Sequence, residues 1–323
     1  MTPISTAAAR PVQLRLSLIL VALAIGAVLV VLAFGRGGAG ASRVTRARSE
    51  MGTILEIDAI GPSPAATESA VAAAFAAVED VDRRLSNWRK DSELSRANAA
   101  GANRPLALSP LTWRCLAKAF DFARDTDGAF DPTVGVFTGA RTIGWKNVVL
   151  DSNGCTLTFA VSGGAVDSGG FGKGEALDRA ILELRRRGVD AARLNFGGQI
   201  SLVGSRFGDV SVAEPRAGSR RQVAAFRTED GSVSTSGVSE KPGHIVDPRT
   251  GAAASFTGSV TVVADNGLRA DALSTGLFVL GPDEGLDFAN RNGIAALFVV
   301  PRDDGRWDLI ASRCFPEFTA SRF

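Results

Sequence analysis

Asp271 and Thr275 stand four residues apart in the run Arg269-Ala270-Asp271-Ala272-Leu273-Ser274-Thr275. On a helix that spacing puts a carboxylate and a hydroxyl on one face, a pair suited to a hard cation such as Mg2+ completed by waters and substrate phosphate oxygens. An Asp at a helix start also complements the helix dipole, so the pair alone leaves both roles open. A second cluster, Asp167-Ser168-Gly169-Gly170-Phe171-Gly172-Lys173-Gly174, runs into a predicted helix. Backbone N–H groups at a helix start suit an anion, and glycines let a phosphate come close. It is not a P-loop, because Gly174 stands where Ser or Thr is required and Asp167 where the first glycine belongs; nor does it match GxGxxG. A tight strand-to-helix turn is the plainer alternative. The third cluster, Gly243-His244-Ile245-Val246-Asp247-Pro248-Arg249-Thr250-Gly251, holds the only histidine, in a chain that has no tyrosine. Few other side chains can move protons near neutral pH. A lone His often serves packing, but Asp247, Pro248, Arg249 and Gly251 describe a stiff polar loop able to position it. In the fourth cluster, Asp127-Gly128-Ala129-Phe130-Asp131-Pro132-Thr133, turn chemistry accounts for Gly128 and Pro132. It does not account for apolar Phe130 beside Asp131, a pairing that could line a ligand pocket.

These clusters sit between recognisable elements. Residues 53 to 60 read as a strand, and a helix from Thr67 to Leu85 keeps Val71, Phe75, Val78 and Leu85 on one face. Ser109 caps a second helix with Pro110 in its first turn and Gly128 beyond its end. Asn153-Gly154 marks a hairpin turn between two strand-like runs. A third helix spans Lys173 to Arg187, and short strands follow at 193 to 196, 209 to 213, 222 to 227 and 259 to 264. A fourth helix covers 269 to 280 and another 283 to 291, before closing strands in AALFVV and WDLIA. Hairpins mixed with helices, without regular alternation, predict an α+β body rather than a doubly wound sheet.

The chain has 323 residues, 45% apolar, with a net charge of +2. That length suits one large domain or two modest ones, and the flat charge excludes a phosphate-backbone binder, so no nucleic acid is expected. The N-terminus is a separate object. Residues 16 to 34, LSLILVALAIGAVLVVLAF, are uncharged and almost wholly apolar, close to the length that spans a bilayer. Arg10 and Arg15 precede them, and Ala39-Gly40-Ala41 fits a small-x-small cleavage site. The expectation is export from the cytoplasm, with residues 1 to 41 a signal peptide or an uncleaved anchor, 42 to 50 a linker, and the folded domain 51 to 323. Cys115, Cys155 and Cys314 are too few and too scattered for a metal site and read as structural; an odd count allows at most one disulfide.

The order of the motifs is more specific than any one of them. Met51-Gly52-Thr53, Leu85-Ser86-Asn87-Trp88 with Asp91-Ser92-Glu93, Gly128 to Thr133, Asp167 to Asp178, Asn195-Phe196-Gly197-Gly198, Thr235-Ser236-Gly237, His244 to Gly251 and Ala270 to Thr275 together resemble the ApbE family. These are FAD:protein FMN transferases, and the resemblance covers Met51 to Leu280.

The resemblance implies an ApbE-like (T-fold-like) α+β domain of mixed helices and antiparallel sheets behind the N-terminal hydrophobic export or anchor segment. It implies a flavin transferase that splits FAD, places FMN by a phosphoester on a Ser or Thr of a partner protein, and releases AMP in an Mg2+-dependent reaction. The acceptor would be a protein carrying a Ser/Thr flavinylation motif, expected to be a membrane redox subunit. The location would be extracytoplasmic or periplasmic, at the inner membrane, with attachment through residues 16 to 34 if uncleaved. Carried over by motif, Gly170 (through its carbonyl), Asp271, Ser274 and Thr275 would surround the metal. Met51, Trp88, Ala129, Phe130, Asp131, Asp167, Lys173 and Ile245 match FAD-contacting positions. His244 would accept the attacking hydroxyl's proton or hold the phosphate. The sequence departs from the family at Trp88 (often Tyr), Ser168 (usually Leu), Gln199 (commonly Asp) and Ser274 (Ala or Asp). An exported FAD pyrophosphatase and a flavin-binding protein without turnover are the two competing readings.

Overall fold

Strands of alternating residue type build an eight-stranded sheet in which every ladder is antiparallel. The computed structural model describes residues 41–135, 144–238 and 243–321. The export or anchor segment expected at 16 to 34 lies outside these, and among the described residues no helix is long and apolar enough to cross a membrane. In chain order the elements are β1 (Ser42–Glu50), β2 (Thr53–Gly61), α1 (Pro64–Leu85), α2 (Glu93–Ala99), β3 (Leu106–Ala107), α3 (Pro110–Asp125), β4 (Val148–Asp151), β5 (Thr156–Phe159) and α4 (Gly172–Arg186). There follow β6 (Ala191–Phe196), β7 (Gln199–Val203), β8 (Asp209–Ala213), β9 (Gln222–Arg227), β10 (Gly231–Gly237), β11 (Ser259–Ala264), α5 (Gly267–Arg291), β12 (Ala295–Pro301), β13 (Trp307–Ala311) and β14 (Phe318–Ala320). The main sheet runs β1-β2-β6-β7-β10-β11-β12-β13, and two three-stranded sheets, β14-β9-β8 and β3-β5-β4, stand apart from it. The α+β expectation holds.

The period-two rule decides which side of the main sheet each residue covers. On β12, Ala296 and Phe298 join Leu273, Leu277 and Phe278 of α5 in one core, while Leu297 and Val299 join Val210, Val223 and Phe226 of the β8-β9 layer in another. Helices thus cover one face and a small sheet the other. A third core gathers α1, α3 and α4 over β2 and β6, with Phe75, Leu116, Leu177 and Phe196 buried in it. Ser63 and Ser109 cap α1 and α3 by accepting backbone N–H groups, with proline in each first turn, and Asp151 accepts the N–H of Gly154 in the hairpin turn.

Three readings need correction. Residues 42 to 50 are not a linker: they form edge strand β1, paired along its whole length with β2. Its arginines suggest a solvated segment, but edge strands carry charge readily, and only Val44 is buried. Strands β7 and β10 were not expected because their helix-side residues are polar: Gln199 and Ser201 on one, Ser232 and Ser234 on the other, all buried. The two helices expected at 269 to 280 and 283 to 291 follow one another within α5 and are separated by a kink at Gly281, whose φ of 76° is non-helical, just before Pro282. The cysteines form no disulfide; Cys115 is buried, but Cys314 is exposed and has no packing role to explain it.

The N-termini of α4 and α5 cross in contact. A Cβ on Gly174 would overlap the carbonyl of Gly267, and a Cβ on Gly267 would lie 2.5 Å from the carbonyl of Gly174. Only hydrogen fits on either side. Gly174→Ala should therefore cost at least about 2 kcal/mol, whereas Gly188→Ala, at a positive φ facing open space, should cost about 1 kcal/mol. Urea unfolding of both variants checks this; equal midpoints would show that the crossing is not tight.

Candidate active site

The glycine loop is built from its own turn and from two asparagines. Asp167 Oδ1 accepts the N–H of Gly169 (2.7 Å), and the carbonyl of Ser168 accepts those of Phe171 and Gly172. Asn87 accepts the N–H of Ser168 and donates to the carbonyl of Val166, to which Asn98 also donates. Asn98 was not singled out in the sequence; an Asn on a short helix carries no signal until the chain 68 residues on folds back to it. The N–H of Asp167 donates to the carbonyl of Pro132, which joins the glycine loop to the Asp127–Thr133 turn.

Phe130 is where three of the four clusters meet. A Cβ on Gly170 would lie 3.1 Å from the Phe130 ring and 3.6 Å from Thr275 Oγ1, and one on Gly276 would lie 3.1 Å from Phe130 Cβ. These glycines allow the turn, the loop and α5 to close on one another. Asp131 is buried and fully engaged, accepting the N–H and O–H of Thr133 and the N–H of Trp145. Burial nonetheless pushes its pKa above the ordinary carboxylate value, against those three hydrogen bonds.

Asp271 is buried in the second turn of α5. One carboxylate oxygen accepts the N–H of Gly174 (3.2 Å), the other faces the hydroxyl of Ser234 at 3.4 Å. Desolvation raises its pKa; Lys173, the Gly174 N–H and the Ser234 hydroxyl act in the opposite sense. Thr275 donates to the backbone carbonyl of Asp271 (3.1 Å). Ser274 does the same (3.0 Å), is fully buried, and also bonds the hydroxyls of Ser234 and Ser236 on β10. Among the described residues no three His, Cys, Asp or Glu side chains cluster as a metal site. Of the positions expected to hold a metal, the Asp271 carboxylate, the Thr275 hydroxyl and the Gly170 carbonyl would make an all-oxygen set suited to a hard cation retaining waters and substrate oxygens. A cation there would also relieve the desolvation of the Asp271 carboxylate. The Ser274 hydroxyl, with three protein partners, fits a buttress better than a ligand. Ser234 was absent from the sequence reading; the alternation Ser232, Ser234, Ser236 opposite Gln199 and Ser201 was its signal.

Of the remaining positions, Met51 reaches the glycine loop. The terminal methyl of Met51 would lie 3.4 Å from a Cβ on Gly172, so the β1-β2 turn abuts the glycine loop. Ala129 and Asp167 are buried, and Lys173 is partly exposed at the start of α4. Trp88 is 78% exposed, an unusual state for its ring. The His244 loop is cross-braced: Val246 bridges Ala253, the N–H of Ala254 donates to the carbonyl of Ile245, and Asp247 takes a bidentate contact from Arg249. That contact holds the Asp247 carboxyl below its usual range. Ile245 packs against the core that holds Leu273 and Leu277, which sets the loop beside α5.

A model of the ApbE family matches residues 51–140 and 137–298. The chain belongs to the ApbE family. The FAD:protein FMN transferase of Vibrio cholerae serotype O1 is 30% identical over 281 residues, spanning 76% of this chain and 81% of that protein. That of Haemophilus influenzae is 29% identical over 269 residues, spanning 71% and 78%. Among solved structures, the flavin transferase ApbE from Vibrio cholerae superposes with a TM-score of 0.76 at 28% identity, over 85% of this chain and 98% of that one. The apo Pseudomonas stutzeri flavinyl transferase ApbE gives 0.74 at 27% identity, over 85% and 95%. The mixed fold with antiparallel sheets is that of ApbE structures.

Asn87 bonds Ser168 and Val166 on the N-terminal side of the glycine loop, so its loss should be felt there first. Asn87→Ala should cost about 1–3 kcal/mol, because it strands the Ser168 N–H, while Asn98 still donates to the Val166 carbonyl. Hydrogen exchange across 166–172 should accelerate; unchanged protection there would mean the loop does not depend on Asn87.

Proposed function

We propose that this chain is an Mg2+-dependent FAD:protein FMN transferase, acting outside the cytoplasm on a Ser or Thr hydroxyl of a partner protein. The observation that carries the site assignment is the convergence of the Gly170 loop, Phe130 and Thr275 beside the buried Asp271 carboxylate. Membership of the ApbE family, and relatives named for this activity, support the chemistry.

The hydroxyl oxygen of the acceptor bonds to the FMN phosphorus of FAD, the pyrophosphate P–O bond breaks, and AMP leaves. Such a transfer needs positioning and charge neutralisation more than a strong covalent nucleophile. Bound Mg2+ would supply neutralisation of the pyrophosphate charge, held by the Asp271 carboxylate, the Thr275 hydroxyl and the Gly170 carbonyl. Lys173 binds phosphate oxygens at the start of α4, where the helix dipole favours an anion. Met51, Trp88, Ala129 to Asp131, Asp167 and Ile245 line the FAD site. Trp88 offers a ring for stacking on the flavin or the adenine. His244, on its braced loop, accepts the hydroxyl proton as the new ester forms. The apolar run at 16 to 34 supports export and attachment at the inner membrane, where a membrane redox subunit would serve as acceptor.

The purified full-length chain, mixed in detergent with FAD, Mg2+ and an acceptor bearing a Ser/Thr flavinylation motif, should leave flavin fluorescence on the acceptor band and release equimolar AMP. FMN and AMP appearing at the same rate without acceptor would establish hydrolysis in its place. Asp271→Ala should lower turnover at least about 100-fold; undiminished activity in excess chelator would remove the metal from the reaction.

A further inference from the structure

The first turn of α5, which carries the segment leading to Asp271, is held from outside by a carboxylate that the site as described does not use. Asp178 lies on α4, partly buried, and its two oxygens accept the N–H groups of Gly267 (2.5 Å) and Leu268 (3.1 Å), the first two residues of α5. Asp271 reciprocates from α5 by accepting the N–H of Gly174, the third residue of α4. Each helix therefore caps the other, and α4 has no side-chain cap of its own at Phe171. Gln199 completes the bracket by donating from β7 to the carbonyl of Gly267 (2.9 Å). Its Oε1 is buried without a partner, so this amide is spent on holding the helix start rather than on packing.

We propose that Asp178 is a positioning residue for the transferase site: its ionised carboxylate clamps the start of α5 so that Asp271 stands in register with the glycine loop. This rests on Asp271 serving the metal, as argued above. Two backbone N–H donors converge on Asp178, and a protonated carboxyl can serve only one of them well, because its O–H has no acceptor to face between two donors. Burial pushes its pKa up to about 6; the Gly267 and Leu268 amides oppose that shift, and Glu175 on α4 and Lys118 on α3 act with opposite signs. The pH at which the clamp loosens therefore lies within reach of neutral solution. A carboxylate whose pKa is higher folded than unfolded takes up its proton first in the native state. Through this group global stability rises on acidification, fully present below about pH 4 and lost as pH climbs through about 6. Loss of activity between pH 7 and 5 by this route would accompany no loss of fold.

The test compares Asp178→Asn with the wild-type full-length chain in detergent. The Asn side chain keeps the shape and one acceptor oxygen but turns an amide donor toward an N–H. The variant should melt within a few degrees of wild type and bind FAD, while the Mg2+ concentration for half-maximal transfer rises about 10- to 100-fold. Hydrogen exchange in the peptide covering 266–273 should accelerate without Mg2+ or FAD present. In the wild type the same peptide, corrected for the intrinsic rate, should lose protection as pH falls through about 6, and the variant should show no such step. A folded variant with wild-type Mg2+ dependence and unchanged exchange in that peptide would overturn the proposal. Should the variant fail to fold, a wild-type exchange profile flat between pH 7 and 5 would overturn it equally. The exchange measurements involve no turnover, so a chain that clamps as described yet transfers no FMN would refute the transferase reading and leave the clamp standing.

Discussion

The close crossing of α4 and α5 is the constraint on which the site depends. At Gly174 and Gly267 two backbones meet with no room for a side chain, and that contact makes the reciprocal capping geometrically possible. The glycine loop belongs to one helix and the acidic residue to the other. Were the helices separated by even an alanine's methyl group, the Gly174 N–H would not reach the Asp271 carboxylate. The elements around the crossing serve to fix it: β7 and β10 below through Gln199 and Ser234, the apolar faces of α1 and α3 at the side, and the Phe130 turn above.

The polar stripe between helices and sheet belongs to the same constraint. Gln199, Ser201, Ser232, Ser234 and Ser274 are buried where a sheet of this size would ordinarily present Val or Ile to its helices. Ser201 and Ser232 bond each other, while the hydroxyls of Ser234, Ser236 and Ser274 form a linked network that ends on the Asp271 carboxylate and carbonyl. Such a network specifies position rather than adding much stability, since each bond replaces one to water. Its location, confined to the start of α5, matches the place where position matters.

Elements whose periodicity and caps are local were legible in the sequence: α1 with its apolar face, α3 with Ser109 and Pro110, the Asn153-Gly154 hairpin, and the break at Gly281-Pro282. What escaped was set by tertiary context. β1 is paired rather than solvated because β2 offers it an edge, although its own composition is that of a linker. β7 and β10 carry serines inward because α5 needs polar partners, which inverts the hydrophobic pattern by which strands are recognised. At the site, residue types and order were enough to bring the glycine loop, the Phe130 turn and the Asp271 helix forward as candidates. The roles of Asp178, Asn98 and Ser234 were not, because each acts on a segment at least 37 residues away and only the folded chain supplies its partner.

Strand β1 has a geometric consequence for whatever precedes it. The strand is extended from Ser42 to Glu50 and delivers Met51 directly to the edge of the glycine loop. At about 3.4 Å per residue this sets Ser42 roughly 27 Å from the Met51 turn. The sheet edge therefore acts as a rigid strut. A pull applied at Ser42 acts on the far end of the strut, and the Met51 turn against the glycine loop keeps its place.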